Sequence, residues 1–335
     1  MAEKVKSSSL NRVELGKVLP LMSPFAVHIF PSYYCDFRCC YCIHSLKEEE
    51  FSKLHLKRQL MNFGTLKNAI DGLSAFESKL KLLNFAGHGE PLLNSELPKM
   101  IAYAVKKEVT EKTELVTNAN RLTEKTSLDL IEAGLDSIRI SIQGLSNKKY
   151  KEISDVNINF EKLVEQIGFF YRHKKNCRIY IKIIDIALAG IEEEKKYFEL
   201  FSGICDFVSI EHLVPTASLV DYDSVGKKYR ETQQGFEYKK VAACPMPFYM
   251  MIVEPDGNVR TCCATTFPLL LGNVNHSLLS DIWKGEMLRD FWRMHLSGKR
   301  RNHSICSYCS NPDYGIQPGD EIDDFCEEII KRMDD

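Results

Sequence analysis

The sequence predicts an α/β fold, in which six βα units form a parallel sheet and a small cysteine-rich α+β domain follows. Short β-rich runs alternate with amphipathic helical stretches over residues 25–213, which is typical of repeated βα units. Beyond residue 244 this alternation gives way to a hairpin pattern and spaced cysteines. A chain of 335 residues is long enough for one large domain and a smaller one.

The predicted strands of the large domain fall at 25–30, 82–85, 114–117, 137–142, 178–184 and 207–210, with helices between them such as 65–80 and 127–133. Six units are fewer than the eight of a closed barrel. The fourth strand alternates clearly: isoleucines occupy 138, 140 and 142, and polar residues occupy one face at Ser137, Arg139, Ser141 and Gln143. Such a polar face is expected to line a cavity.

Three cysteines, Cys35, Cys39 and Cys42, follow the first predicted strand on one tight loop. Three thiolates can hold three irons of a cubane iron–sulfur cluster and leave the fourth iron open for a chelating ligand. Zinc is the alternative, because Cys40 or His44 could complete a set of four ligands.

The spacing of these cysteines resembles the signature of the radical S-adenosylmethionine (SAM) superfamily, in which Tyr41 would occupy the aromatic position against the adenine. The resemblance implies a SAM-binding 4Fe-4S cluster and reductive cleavage of SAM to a 5'-deoxyadenosyl radical. It also implies a partial (β/α)6 barrel of the TIM type with a wide lateral opening, and a flavodoxin- or ferredoxin-type reductant as partner.

Other expected SAM contacts follow the next strands. Gly87, His88, Gly89 and Glu90 resemble the Gly-Gly-Glu motif of the superfamily, although His88 separates the glycines. Asn118 ends the third strand, where Ala119 replaces the glycine of a common Thr-Asn-Gly. The resemblance places Ser141 and Gln143 near the ribose of SAM.

A second set of cysteines comprises Cys244, Cys262, Cys306 and Cys309. Cys262 ends a hairpin whose turn is Pro-Asp-Gly at 255–257, and the Cys-x-x-Cys pair follows a helical stretch at 278–296. Four thiolates can hold a second cluster, but they also describe a structural zinc site. Metal analysis separates the two, since two clusters require about eight irons per chain.

This second set resembles the opening of the SPASM auxiliary-cluster domain. The chain lacks most of the later cysteines of a full SPASM domain, which implies the shortened twitch type with one auxiliary 4Fe-4S cluster. Such a domain is similar to that of 2-deoxy-scyllo-inosamine dehydrogenase and of related sugar or cyclitol epimerases. The expected boundaries are an N-terminal tail at 1–20, the barrel at 21–215, a linker at 216–243, the auxiliary domain at 244–320 and a C-terminal tail at 321–335.

Candidate catalytic groups are chosen by their position on the predicted strands. Lys182 and Arg139 lie on polar strand faces and Glu211 ends the sixth strand, so they are expected to bind substrate or handle protons. Pairing of Arg139 with a buried carboxylate is an equal alternative. Cys205 and Cys263 are candidate hydrogen-atom donors, although a free cysteine more often fills a core.

Composition limits the partners and the compartment. A net charge of -2 gives no electrostatic basis for binding nucleic acid or an anionic membrane. Residues 1–20 lack the apolar core of a signal peptide, and no apolar run is long enough to span a membrane. The 12 cysteines are therefore expected to be reduced in the cytoplasm.

The expected function is hydrogen abstraction from a carbinol or similar carbon of a small polar substrate, a sugar or aminocyclitol, by a radical SAM oxidoreductase (dehydrogenase) or epimerase. One alternative is a maturase that modifies a ribosomally made peptide, although residues 1–24 are too short for a leader-binding module. An alternative of another class is a nonenzymatic iron–sulfur or zinc protein.

Overall fold

The large parallel sheet predicted from the sequence is present. The computed structural model describes residues 2–5, 12–217, 219–224 and 231–334. Within these ranges ten strands form one sheet in the spatial order β1-β7-β6-β5-β4-β3-β2-β8-β9-β10. The strands are β1 Glu3–Lys4, β2 Ala26–Ile29, β3 Leu82–Phe85, β4 Thr113–Thr117, β5 Ser137–Ile142, β6 Arg178–Ile184, β7 Phe207–Glu211, β8 Met250–Val253, β9 Asn258–Arg260 and β10 Leu270–Asn273. The six predicted strands are β2 to β7.

Helices connect the successive strands from β2 to β7, as parallel pairing requires. The helices of the described ranges are α1 Leu15–Val18, α2 Glu48–Ser52, α3 Phe63–Leu73, α4 Leu97–Lys107, α5 Glu124–Glu132, α6 Asn147–Ser154, α7 Phe160–His173, α8 Ile191–Phe201, α9 Leu279–Lys284, α10 Glu286–Leu296, α11 Asn311–Gly315 and α12 Cys326–Asp334. None of them combines the length and the apolar character that crossing a membrane would demand.

Neighbours along the chain are also neighbours in the sheet from β2 to β7, and every one of these pairs is parallel. This arrangement confirms the predicted α/β partial barrel. It also brings the C-terminal ends of the strands to one edge, so that the loops after β2, β3, β4 and β5 lie together. The isoleucine face of β5 is buried against the helices, with Ile138 and Ile140 0% exposed.

The sheet continues beyond the six predicted strands. Strand β8 pairs in parallel with β2, with Val27 opposite Met251, and β9 and β10 extend it in antiparallel fashion. The turn between β8 and β9 uses Gly257 at a φ of 89°, a left-handed conformation suited to glycine. The predicted hairpin is thus present, and it is an edge of the barrel sheet itself.

Three predicted helices have different bounds in the structure. Helix α3 ends at Leu73, before the predicted end at 80. Helix α5 begins earlier than predicted, because the Thr123 side chain accepts a hydrogen bond from the Thr126 amide and thereby caps the helix. The predicted helix at 278–296 is two helices, since Gly285 has an extended backbone between α9 and α10.

Candidate active site

The three-cysteine loop, residues 35–42, lies directly after β2 and is anchored to the end of α6. The Arg38 amide donates to the Ser154 carbonyl at 2.8 Å. The hydroxyl of Ser154 lies 3.1 Å from the sulfur of Cys39. A helix end therefore holds the loop in place, and Ser154 is a neighbour of the cysteines that the sequence did not indicate.

Asp36 ties the same loop to the segment that follows β4. Its carboxylate accepts hydrogen bonds from the side-chain amides of Asn118 at 3.0 Å and Asn120 at 2.9 Å. Arg121 Nε donates to it at 3.1 Å. The Asn118 side chain, predicted to contact SAM, is thus engaged with the protein, and Asp36 is an organising residue that the sequence analysis missed.

The two glycines of the Gly-His-Gly-Glu segment have separate steric reasons. A Cβ at Gly89 would lie 2.3 Å from the carbonyl oxygen of Ser32 and 2.7 Å from that of Tyr34. Gly87 has a φ of 122°, and a Cβ there would lie 2.4 Å from the ring of Phe30. Both positions exclude larger residues, so the backbone after β3 can pack closely on the loop after β2.

Glu90 is buried, and its carboxylate accepts three hydrogen bonds from protein groups. Its carboxylate accepts from the Thr117 hydroxyl at 2.6 Å, the Asn118 amide at 2.8 Å and the Leu92 amide at 3.0 Å. Burial raises the pKa of Glu90 to about 7. These contacts join the ends of β3 and β4, which gives Glu90 a positioning role in this arrangement.

The His88 ring contacts the segment that follows β9. Its Nε2 lies 3.2 Å from the carbonyl oxygen of Ala264. The ring stacks on Tyr33 with centroids 6.4 Å apart and meets Phe30 edge-on at 5.2 Å. The insertion that departs from the Gly-Gly-Glu pattern therefore connects two parts of the chain.

Tyr41 and Gln143, predicted to contact adenine and ribose, are bonded to each other. The Tyr41 hydroxyl donates to Gln143 Oε1, and Gln143 Nε2 donates to the Ser141 carbonyl at 3.3 Å. The Tyr222 hydroxyl donates to the Tyr41 carbonyl at 2.9 Å. The structure therefore brings these three predicted residues together beside the cysteine loop.

We call the space beside this loop the loop cavity, which has a volume of about 260 Å³. Cys263 borders it, although this residue lies more than 200 positions from the loop in sequence. The lining of the cavity includes Cys35, Tyr41, Cys42, Gly87, His88, Gly89 and Cys263. The structure thus places one candidate hydrogen donor in the lining of the same cavity as two of the predicted cluster ligands.

The three predicted ligand thiols of the loop are largely protonated because the surrounding protein raises their pKa. Burial raises the pKa of Cys39 to about 12 and also raises the pKa of Cys35 and Cys42. Thiols in such surroundings stay protonated until a metal displaces the proton. Three soft sulfur donors on one loop, two of them at the edge of a cavity, fit an iron–sulfur cluster.

The second set of cysteines surrounds a small cavity that we call the auxiliary cavity, bordered by Cys244, Cys262, Cys306 and Cys309. Arg300 holds this region: its guanidinium donates to the carbonyls of Val241 at 3.1 Å and Cys309 at 2.7 Å. All four thiols have a raised pKa because they are buried. Within the described ranges, no three His, Cys, Asp or Glu side chains form a group that could hold a single metal ion.

A third cavity, the barrel cavity, has a volume of about 390 Å³ and lies along the polar inner face of the sheet. Arg139 borders it, pairs with Glu114 at 3.5 Å and stands over the ring of Tyr180 at 4.7 Å. Arg139 therefore pairs with a buried carboxylate, as one of its two predicted roles requires, and it also borders the cavity.

Lys182 and Glu211 form an ion pair with Nζ and Oε2 2.7 Å apart, in which Glu211 is buried and Lys182 is partly exposed. Gln233 Nε2 also donates to Glu211 at 2.9 Å. Glu211 borders the barrel cavity. Cys205 lies elsewhere: its sulfur contacts the Phe201 carbonyl at 3.2 Å within the hydrophobic core, and it borders none of the three cavities. The structure does not bring Cys205 to the site.

Two family models match the chain. The radical SAM superfamily model matches residues 29–196, and the SPASM iron–sulfur cluster-binding domain matches residues 244–310. The first implies a 4Fe-4S cluster with SAM and the second an auxiliary iron–sulfur site, which confirms the predicted cofactors.

Among curated proteins, the GTP 3',8-cyclase of Staphylococcus carnosus is 30% identical over 268 residues, which cover 69% of this chain and 76% of that protein. A probable GTP 3',8-cyclase of Methanococcus maripaludis is 33% identical over 130 residues, or 39% of each chain. A probable GTP 3',8-cyclase of Methanococcus vannielii is 33% identical over 184 residues. This chain spans 57% of the length of that protein.

Solved structures share the fold at low identity. BtrN in complex with AdoMet and 2-DOIA has a TM-score of 0.55 and 19% identity, covering 86% of this chain and 93% of BtrN. Streptococcus suis SuiB bound to the precursor peptide SuiA has a TM-score of 0.60 and 17% identity, covering 83% and 68%. At these identities the likeness extends to the fold alone.

Proposed function

This chain belongs to the radical SAM superfamily, and we propose that it removes a hydrogen atom from a carbinol or similar carbon of a small polar substrate, such as a sugar or aminocyclitol, and returns hydrogen to that carbon from Cys263. The reaction is then an epimerisation. The observation that carries this proposal is that Cys263 lines the loop cavity together with Cys35 and Cys42.

The cofactor assignment follows from the donor sets. Cys35, Cys39 and Cys42 would hold the SAM-binding cluster, and the loop cavity would hold SAM between Tyr41 and the glycine-rich segment. When bound, the cluster and SAM supply a 5'-deoxyadenosyl radical that abstracts hydrogen. Cys244, Cys262, Cys306 and Cys309 would hold the auxiliary cluster. A flavodoxin- or ferredoxin-type protein in the cytoplasm is the proposed reductant, in keeping with 12 free cysteines.

The protein's own contribution is to orient the substrate and to exclude water. The barrel cavity is lined by polar side chains from several strands, among them Asn84, Glu114, Arg139 and Glu211. Glu114 and Glu211 can accept hydrogen bonds from hydroxyl or ammonium groups. Asn84 Oδ1 borders the same space, is buried and has no hydrogen-bond partner in the described part of the chain. Such a wall suits a ligand rich in hydroxyl groups.

Hydrogen return requires a weak X–H bond near the reacting carbon. The Cys263 thiol would give its hydrogen atom to the substrate radical, so that a C–H bond forms and the S–H bond breaks. One electron from the reductant and one proton from solvent then restore the thiol. In the alternative, dehydrogenation, the substrate radical loses a proton and an electron, and Cys263 has no role.

Cyclisation of a purine nucleotide is a second candidate, because relatives at 30–33% identity are named GTP 3',8-cyclases. The barrel cavity offers little for a triphosphate of about four negative charges. Its three cations, Arg12, Lys81 and Arg139, are matched by three carboxylates, Glu114, Glu211 and Asp320. The likeness to SuiB extends to the fold alone and carries no argument for a peptide substrate.

The test uses anaerobically reconstituted enzyme in deuterated water with a panel of sugars, aminocyclitols and GTP. We expect 5'-deoxyadenosine and an epimer with one nonexchangeable deuterium at the inverted carbon. Cys263→Ser should still cleave SAM but form no epimer, whereas Cys326→Ser, at the start of α12, should react as wild type.

Three results would contradict the proposal. An oxidised product without deuterium would favour dehydrogenation, and a cyclised nucleotide would favour the second candidate. The absence of 5'-deoxyadenosine with every substrate would favour the nonenzymatic alternative.

A further inference from the structure

His295 is a buried histidine beside the auxiliary cavity. Only one of its two ring nitrogens has a hydrogen-bond partner among the described residues. It lies on α10 and is 1% exposed. It borders the cavity together with the four cysteines. The Cys244 amide donates to its Nδ1 at 3.3 Å. Its Nε2 is buried and has no hydrogen-bond partner among the described residues.

The hydrogen bond from Cys244 fixes the tautomer of the ring. An atom that accepts a hydrogen bond carries no proton, so the single proton of neutral His295 lies on Nε2. The ring thus holds a buried N–H donor without an acceptor. A buried donor is unfavourable when it stays unsatisfied, so an acceptor is expected nearby when the site is loaded.

Sulfur is the most abundant acceptor around this ring, and Asn311 Oδ1, which is also buried without a partner among the described residues, is the competing side-chain oxygen in the cavity lining. Phe291 meets the ring edge-on at 4.8 Å and Phe248 at 6.5 Å, and both are apolar. The remaining lining of the cavity is rich in cysteine sulfur, and a bound cluster would add sulfide. We propose that His295 Nε2–H donates a hydrogen bond to a sulfur of the auxiliary cluster or of its cysteine ligands, and thereby raises the reduction potential of that cluster.

The direction of the effect follows from charge. Hydrogen bonds to cluster sulfurs stabilise the more negative, reduced state and so raise the potential. His295 is thus a positioning residue that tunes an electron-transfer centre, and it does not touch substrate. The inference rests on the proposed auxiliary cluster but not on the choice between epimerisation and dehydrogenation.

Two substitutions separate the ring nitrogens. His295→Asn places an amide near Nδ1, where it can still accept from Cys244, and removes the distal donor. His295→Gln extends an amide N–H to the Nε2 position. His303→Asn is the matched control, since His303 Nδ1 also accepts a backbone amide, that of Cys306 at 3.3 Å, but its ring is partly exposed.

The measurement is an anaerobic redox titration of the holoenzyme followed by electron paramagnetic resonance, in which the SAM-binding cluster is recognised by its response to added SAM. For His295→Asn we expect about a tenfold shift of the auxiliary cluster toward the oxidised state, which corresponds to a fall of about 59 mV for one electron. His295→Gln should recover part of the shift. His303→Asn and the SAM-binding cluster should be unchanged.

A second measurement needs no variant to fold. In wild-type enzyme labelled with 15N-histidine, pulsed electron paramagnetic resonance on the reduced auxiliary cluster should detect a magnetic coupling to a histidine nitrogen. Absence of that coupling, or an unchanged potential in His295→Asn with the cluster intact, overturns the inference. Zinc at the four cysteines overturns it as well, while SAM cleavage at the other site would still be measurable.

Discussion

His88 Nε2 lies 3.2 Å from the carbonyl oxygen of Ala264, so one imidazole joins the glycine-rich segment after β3 to the segment that carries Cys262 and Cys263. A carbonyl oxygen only accepts, and Nε2 is therefore the donor. His44 Nε2 in turn contacts the His88 carbonyl at 2.6 Å. The two cysteine regions are thus connected through a residue that the superfamily pattern lacks.

Replacing His88 should weaken this connection. His88→Phe retains an aromatic ring against Phe30 and Tyr33 but leaves the Ala264 carbonyl without its donor. We expect the free energy of unfolding to fall by about 1–3 kcal/mol, measured by urea titration under anaerobic conditions. The exposed His276→Phe is the control. Equal stability of His88→Phe and wild type would show that the contact has no energetic weight.

Gly89 should not tolerate alanine. A Cβ there would lie 2.3 Å from a backbone oxygen, so the backbone itself must move. We expect Gly89→Ala to lose about 1–3 kcal/mol of stability and to weaken SAM binding, measured by equilibrium dialysis. At Gly203 a Cβ would meet no atom within 4 Å, so Gly203→Ala should bind SAM normally. Normal binding by both variants would contradict the steric argument.

His28 should make the protein less stable in mild acid. Burial lowers its pKa to about 4, with the nearby charge of Glu114 opposing the shift. The unfolded chain, with a pKa of about 6.5, takes up this proton first, so stability is present above pH 6.5 and is lost as the pH falls toward 4. His28→Gln should flatten this slope by up to about 1.4 kcal/mol per pH unit, measured by urea titration. An unchanged slope in His28→Gln would refute the assignment.

Local patterns predicted the barrel well because they depend on neighbouring residues. The alternation at 137–142 correctly separated the isoleucine face from the face of Arg139, and each predicted strand of the barrel agrees within one residue. A pattern of this kind shows which face a residue occupies but not which residue it meets. The partners Glu114 of Arg139 and Ser154 of Cys39 therefore emerged only from the fold.

Contacts between distant segments were beyond prediction for the same reason. The pairing of β8 with β2 joins segments more than 200 residues apart, and no local signal encodes it. That pairing places Cys263 by the loop cavity, whereas Cys205 lies in the core. The sequence made both cysteines candidate hydrogen donors, and only the three-dimensional fold shows that one lies at a cavity and the other in the core.

The ion pair between Lys182 and Glu211 should matter for stability as well as for any role with substrate. The Glu211 side chain is 2% exposed and its Oε2 lies 2.7 Å from Lys182 Nζ, so Lys182→Met leaves a buried carboxylate with Gln233 as its remaining described side-chain donor. We expect the free energy of unfolding to fall by about 3–5 kcal/mol in urea titration, and to recover in part when Glu211→Gln is added.

The exposed pair Lys125–Asp129 has a similar distance of 2.6 Å, yet Lys125→Met should change stability by no more than about 0.5 kcal/mol. If the double variant regains stability but not turnover, the pair also acts on substrate. Wild-type stability of Lys182→Met alone would contradict the buried-carboxylate argument.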